Sequence, residues 1–188
     1  MRTITSLILV SLFILSSCDS DNNERLYETN EGINTVIKEL EEEFGENAAY
    51  TSLNFSFNEE TGTLIQAEGT NNFDDNKMMG RMRSNESWTD QSEITVEIQG
   101  EAKIRDFLLS TDQMNLVKLP EMVEDAKRRV MEDKKIDEAV VNSVLLNTPN
   151  KMTDISGMRY FITVTPVNEE TDFTVEYNFK GEFQKMDY

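Results

Sequence analysis

Lys77, Met78, Arg81, Met82, Arg83 and Trp88 form the densest group of side chains in this sequence that could make a contact of functional value. Methionine fits its unbranched thioether to irregular partners, and Arg and Trp are over-represented where interfaces bind tightly. In a chain of net charge −18, this stretch is a local positive island. Its functional reading is a protein-binding stripe. Its plain reading is an edge strand whose methionines pack inward while Lys and Arg guard the edge. Just upstream, Asn72, Asp74, Asp75 and Asn76 offer closely spaced oxygens of the kind Ca²⁺ takes. The register does not fit a calcium loop, because Lys77 stands where the turn glycine belongs and Arg83 where the bidentate glutamate belongs. That stretch therefore reads as a polar turn, and no metal site is expected.

Other chemistry is narrowed by what the chain lacks. Histidine is absent, which removes the commonest general base and the commonest transition-metal ligand. With 36 acidic residues some carboxylates always lie near one another, and no motif singles out a catalytic pair. The negative field has the wrong sign for a phosphate backbone, so nucleic acid is excluded as a partner, and it disfavours lying flat on anionic lipid. A second basic group, Lys127, Arg128 and Arg129 with Lys134 and Lys135, is interleaved with Glu124, Asp125, Glu132 and Asp133. Pairing at i, i+4 accounts for it. The expectation is a non-enzymatic protein without a cofactor.

The only cysteine, Cys18, sits where an apolar run ends and an acidic polar one begins. Arg2 supplies a positive start, residues 7–15 are apolar apart from Ser11, and Ser16 and Ser17 are small. This is the form of a secretion signal, and the run is too short to span a bilayer. Leu15-Ser16-Ser17-Cys18 matches a lipobox, and in this the sequence resembles bacterial lipoproteins. The resemblance implies that the Cys18 thiol carries diacylglycerol and that cleavage makes Cys18 the new N-terminus. Each acyl chain contributes about 0.8 kcal/mol per buried methylene, so two or three chains anchor stably where one does not. Residues 1–17 are thus read as a signal peptide and 18–30 as a lipidated, acidic tether. Asp19, Asp21 and Glu24 resemble the acidic export signals of some surface-exposed lipoproteins.

The elements that must position these residues follow from periodicity. Ile33, Val36, Ile37, Leu40 and Phe44 fall on one helical face, with Asn30 to cap it and Gly45 to end it left-handed. Residues 50–57 and 63–69 form a hairpin around an Asn-Glu-Glu-Thr turn, 77–83 a third strand and 92–99 a fourth, with Ile94, Val96 and Ile98 on one face. The pattern then recurs. Leu119, Met122, Val123, Ala126 and Val130 repeat the helical offsets behind Pro120, followed by strands at 139–146, 159–167 and 172–183, the last placing Phe173, Val175, Tyr177 and Phe179 together.

The fold class is therefore α+β: two helix-on-antiparallel-meander units, 31–101 and 119–188, joined by a connector at 102–118. In element order alone these units are similar to the tandem helix-plus-meander proteins of the β-lactamase-inhibitor-protein and PepSY-like kind. The whole reads as a lipid-anchored envelope protein of the outer membrane, periplasmic or surface-exposed, held by acyl chains on Cys18. Its expected role is interaction with or assembly onto a protein partner. The alternative is a small-ligand or carbohydrate-binding lipoprotein with a pocket lined by Trp88, Tyr160 and Tyr177.

Overall fold

A computed structural model describes residues 25–148, 155–169 and 171–188. The signal peptide, Cys18 and most of the expected tether lie outside them. The chain enters through a 3-10 turn at Leu26–Glu28, where a tether had been expected up to residue 30. Tyr27 is fully buried, and its hydroxyl donates to the Val141 carbonyl at 2.8 Å. One buried aromatic orders a segment that has no apolar periodicity to announce it.

Helix α1, Asn30–Phe44, buries Ile33, Val36, Leu40 and Phe44 as its spacing requires. Its cap is Thr29 and not Asn30: the Thr29 Oγ1 accepts from the Gly32 N–H at 3.0 Å, and Asn30 is already helical. Gly32 is needed for a close approach, since a Cβ there would meet the Leu26 carbonyl oxygen at 2.3 Å. Gly45 ends the helix at φ 90°, ψ 164°, a positive φ outside the left-handed helical well that had been expected.

Strands β1 (Ala49–Asn58), β2 (Gly62–Thr70), β3 (Lys77–Ser84) and β4 (Ser87–Thr95) follow as a meander. After the connector and helix α3 (Leu119–Lys134), β5 (Ala139–Asn147), β6 (Arg159–Pro166), β7 (Phe173–Asn178) and β8 (Phe183–Asp187) form another. The two merge. β1 pairs antiparallel with β5, giving one eight-stranded antiparallel sheet in the order β4-β3-β2-β1-β5-β6-β7-β8. β3 is therefore one strand in from the edge, and the edge position belongs to β4.

Two strand boundaries depart from the sequence reading for local reasons. Asn85 and Glu86 both take positive φ, 49° and 58°, and form a tight turn that starts β4 at Ser87 instead of residue 92. The chain leaves β4 after Thr95, so Val96 and Ile98 pack on a second apolar cluster beyond the strand. The expected strand at 172–183 breaks at Asn178, whose Oδ1 accepts from the Lys180 and Glu182 N–H groups, with Gly181 at φ 79°. Phe179 thus lies in a turn and β8 is a separate strand.

α1 and α3 pack on the same face of the sheet. Leu53 and Phe55 of β1, Val144 and Leu146 of β5, Tyr160 and Ile162 of β6 and Val175 of β7 share one buried cluster with both helices. Each large apolar side chain buried this way stabilises the fold by about 1.5–3 kcal/mol. The connector is more ordered than expected. It holds a 3-10 turn at Ile104–Phe107, a one-turn helix α2 at Thr111–Met114, and a further 3-10 turn at Leu116–Lys118. Leu109 pairs with Tyr50 through two backbone hydrogen bonds of 2.8 and 2.9 Å. Ahead of this bridge, Ile104 and Leu108 close over Ala49 and Met78 at one corner of the opposite sheet face.

Candidate functional site

β3 and the start of β4 place the basic island, and alternation splits it between the two sheet faces. Arg81 and Arg83 point to α1. Arg83 is buried and makes a bidentate pair with Glu39, Nε to Oε2 at 2.6 Å and the second amino group to Oε1 at 3.1 Å. It also donates to the Thr63 carbonyl at 3.1 Å. The Trp88 Nε1–H donates to the same Glu39 carboxylate at 3.0 Å, and its ring meets Phe44 edge-on at 6.3 Å. Arg81 donates to the Glu43 carboxylate at 2.7 Å and the Glu43 carbonyl at 2.6 Å, with Asp90 3.0 Å from its Nε. Met78 is buried on the other face in the second apolar cluster. Lys77 is exposed and pairs with Glu93 at 2.8 Å, and Met82 is half-buried on the helix-free face. Three of these six side chains, Arg81, Arg83 and Trp88, are thus spent tying α1 to the sheet, and Met78 is buried on the opposite face.

The basic group on α3 pairs within its own helix, as its spacing implied. Arg128 meets Glu132 at 2.9 Å, and Arg129 and Arg128 both meet Asp125, the former at 2.6 Å. The Tyr177 hydroxyl donates to Asp125 at 2.8 Å. Burial opposes ionisation of Asp125, but hydrogen bonds from Arg129, Tyr177 and Arg128 outweigh it and hold the carboxyl below its ordinary value. Desolvation pushes the phenols of Tyr27, Tyr50, Tyr160 and Tyr177 upward. These four are core residues; Tyr177 also lines a small concavity of about 210 Å³ with Met122, Asp125 and Lys180, and neither Trp88 nor Tyr160 is among its described lining residues. Asn72 to Asn76 lie in the β2–β3 loop, where the Asn72 Oδ1 accepts from the Asp74 N–H at 3.2 Å. No cluster of three or more His, Cys, Asp or Glu placed to hold a metal occurs among the described residues.

What the sequence reading passed over is the far face of the sheet. Both helices cover one side, so the outward positions of β2, β1, β5, β6, β7 and β8 stand free of any helix. One cross-strand row runs Gln66, Asn54, Leu145, Phe161, Glu176 and Lys185. A second runs Ser56, Ser143, Thr163 and Thr174. The outward charges on these strands are Glu68, Glu176 and Asp187 against Arg159 and Lys185, nearly balanced in a protein of net charge −18. Glu176 is itself neutralised, 3.1 Å from Arg159 and 3.7 Å from Lys185. The signal was present in the sequence as uncharged polar residues at alternate strand positions.

No protein-family model, curated protein or solved structure matches this chain. The chemistry of its own surfaces is therefore what bears on function. At one corner the connector overhangs the free face and leaves a cleft of about 420 Å³. Met78, Val96, Ile104, Phe107 and Leu108 form one wall, and Thr51, Ser52, Glu68, Asn147 and Thr148 the other. A concavity of about 410 Å³ beyond the C-terminus of α1 holds the engaged Arg81 and Glu43. No described helix is long and apolar enough to cross a membrane.

Proposed function

We propose that this is a lipid-anchored protein of the bacterial envelope that acts as a non-enzymatic interaction module, docking a partner protein on the helix-free face of its sheet. Acyl chains on Cys18 hold it at the membrane, with the folded body in the periplasm or at the cell surface. The observation that supports this reading best is the charge distribution of the free face. Protein interfaces are not distinguished by bulk hydrophobicity but by depletion of charge at their centre. Here the centre of the face carries Asn54, Leu145, Phe161, Ser143 and Thr163, while carboxylates crowd the rest of the surface. Rigid strands hold these side chains at fixed spacings, so little conformational freedom is lost on binding. Of the residues expected to contact a partner, Met82 lies on this face beside Gln66.

The test is co-purification from membranes with the full chain. Asn54→Arg combined with Thr163→Arg puts two bulky charges at the centre of the face, and the bound partner is expected to be lost. Lys38→Glu on the exposed side of α1 is expected to retain it. Retention by the doubly substituted protein would reject the free face as the docking surface. Cys18→Ser separately tests the anchor: the protein is expected to leave the membrane fraction with its fold intact.

A further inference from the structure

The cleft under the connector differs from the rest of the free face in having one apolar wall and one polar wall with a single charge. Glu68 is the only ionisable side chain among the described residues that line it. Its carboxylate is flanked by the hydroxyls of Thr51 and Ser52, each 3.4 Å away. No ion pair reaches it from the described residues, and three basic side chains on neighbouring elements are engaged elsewhere. Arg105 stacks on Phe73 at 4.2 Å, Arg159 pairs with Glu176 and the Ser156 carbonyl, and Lys77 pairs with Glu93. Opposite Glu68, Val96 and Phe107 present partly exposed apolar surface above the buried Met78, Ile104 and Leu108.

An apolar wall facing a lone carboxylate complements a side chain with an aliphatic stem and a cationic head. From this charge complementarity we infer that the cleft receives a Lys or Arg side chain from an extended segment of the partner protein. The ammonium or guanidinium sits at Glu68 and the methylenes lie along Val96 and Phe107, over the buried Met78 and Ile104. The net charge of −18 steers a basic segment toward the molecule, and the apolar wall selects where it seats. This inference rests on the free face being the docking surface, and it adds the chemistry of the partner.

The probe is the acetylated, amidated tripeptide Leu-Lys-Leu, titrated into the full chain in detergent and followed by NMR at the Met78 and Ile104 methyl groups. Saturable shifts at both methyls are expected. Glu68→Gln is expected to weaken binding about threefold to fivefold, the scale of a solvent-accessible ion pair. Ser52→Lys, which supplies an internal cation on the outer sheet face, is expected to abolish binding. The same tripeptide with norleucine in place of lysine is expected to bind weakly and to be indifferent to Glu68→Gln. Unchanged affinity in both substituted proteins, or shifts confined to residues outside the cleft, would overturn the inference. Equal affinity for n-butylammonium would also overturn it, by making the occupant a free amine instead of a protein segment. The central face is scored separately by the Asn54→Arg, Thr163→Arg co-purification. Loss of the partner there with no tripeptide binding here sinks only the cleft.

Discussion

The third strand of each meander faces a helix, and the two meet it with opposite chemistry. Under α1, β3 presents Arg81 and Arg83, which pair with Glu43 and Glu39. Under α3, β7 presents Phe173, Val175 and Tyr177, all buried. The difference follows from what lies alongside. β4, the edge strand beyond β3, is exposed at most positions, so the seam of α1 is half open to water. Arginine suits such a seam, since its stem packs and its fork satisfies a carboxylate bidentately. β8, the edge strand beyond β7, is exposed at most positions too, but its Phe183 supports the Tyr177 ring edge-on at 6.2 Å. The same helix-on-strand contact is thus polar at one flank and apolar at the other. A basic cluster in a sequence can serve as mortar between two elements, and pairing and burial, not composition, decide which role it takes.

The contrast is broken most severely at Arg83. Its side chain is 7% exposed and its partner Glu39 22%, so Arg83→Met leaves a largely buried carboxylate without its main partner. Unfolding in urea is expected to show a loss of about 3–5 kcal/mol. Adding Glu39→Leu is expected to recover most of that, because an apolar pair of similar volume replaces the charged one. Full loss persisting in the double variant would show that the seam needs charge and not merely filling.

On the apolar side, the Tyr160 hydroxyl donates to the Met114 carbonyl and fastens the connector to β6. Tyr160→Phe strands that buried carbonyl, and a loss of about 1–3 kcal/mol in the same urea assay is expected. Thr29→Ala removes the cap of α1 and is expected to cost about 1 kcal/mol, while Asn30→Ala is expected to be close to neutral. Equal losses for the two would return the cap to Asn30.

The smallest effect is one of pH. The Asp125 carboxyl has a lowered pKa in the folded protein, so its contribution to stability is complete above the ordinary carboxylate value of about 4. It is lost as pH falls through the lower folded value. Asp125→Asn is expected to flatten that part of the acid limb of stability against pH and to leave Arg83-dependent stability unchanged. At the alkaline end the sign reverses. Burial raises the phenol pKa of Tyr27, Tyr50, Tyr160 and Tyr177, so the stability they confer is complete below the unfolded value of about 10 and is lost as pH rises from there through the folded value.

The α+β class, both long helices and most strands were legible because apolar residues recur at 3.6 and 2.0 spacings where one face is buried. Ile33, Val36, Leu40 and Phe44 are buried where their offsets place them, and so are Leu119, Met122, Val123, Ala126 and Val130. Breaks were legible only where glycine or a familiar dipeptide marked them. Asn85-Glu86 turns without glycine, and Asn178 ends β7 by accepting from its own downstream amides. Tyr27 and the connector were hidden because isolated apolar residues such as Ile104 and Leu109 become core only through partners distant in sequence. The candidate surface was hidden for a related reason. Whether β1 would pair with β5 cannot be read from either strand alone, and without that pairing the alternate polar residues of the two meanders do not form a single face.

The most direct test of that face is site-specific photo-crosslinking in cells. A photoreactive residue is placed at Asn54 or Thr163 on the helix-free side, and at Lys38 or Glu121 on the helices. Adducts to one partner protein from the first two positions and none from the second two are expected. Adducts from the helices alone, or in equal yield from both sides, would contradict a docking surface on the open sheet.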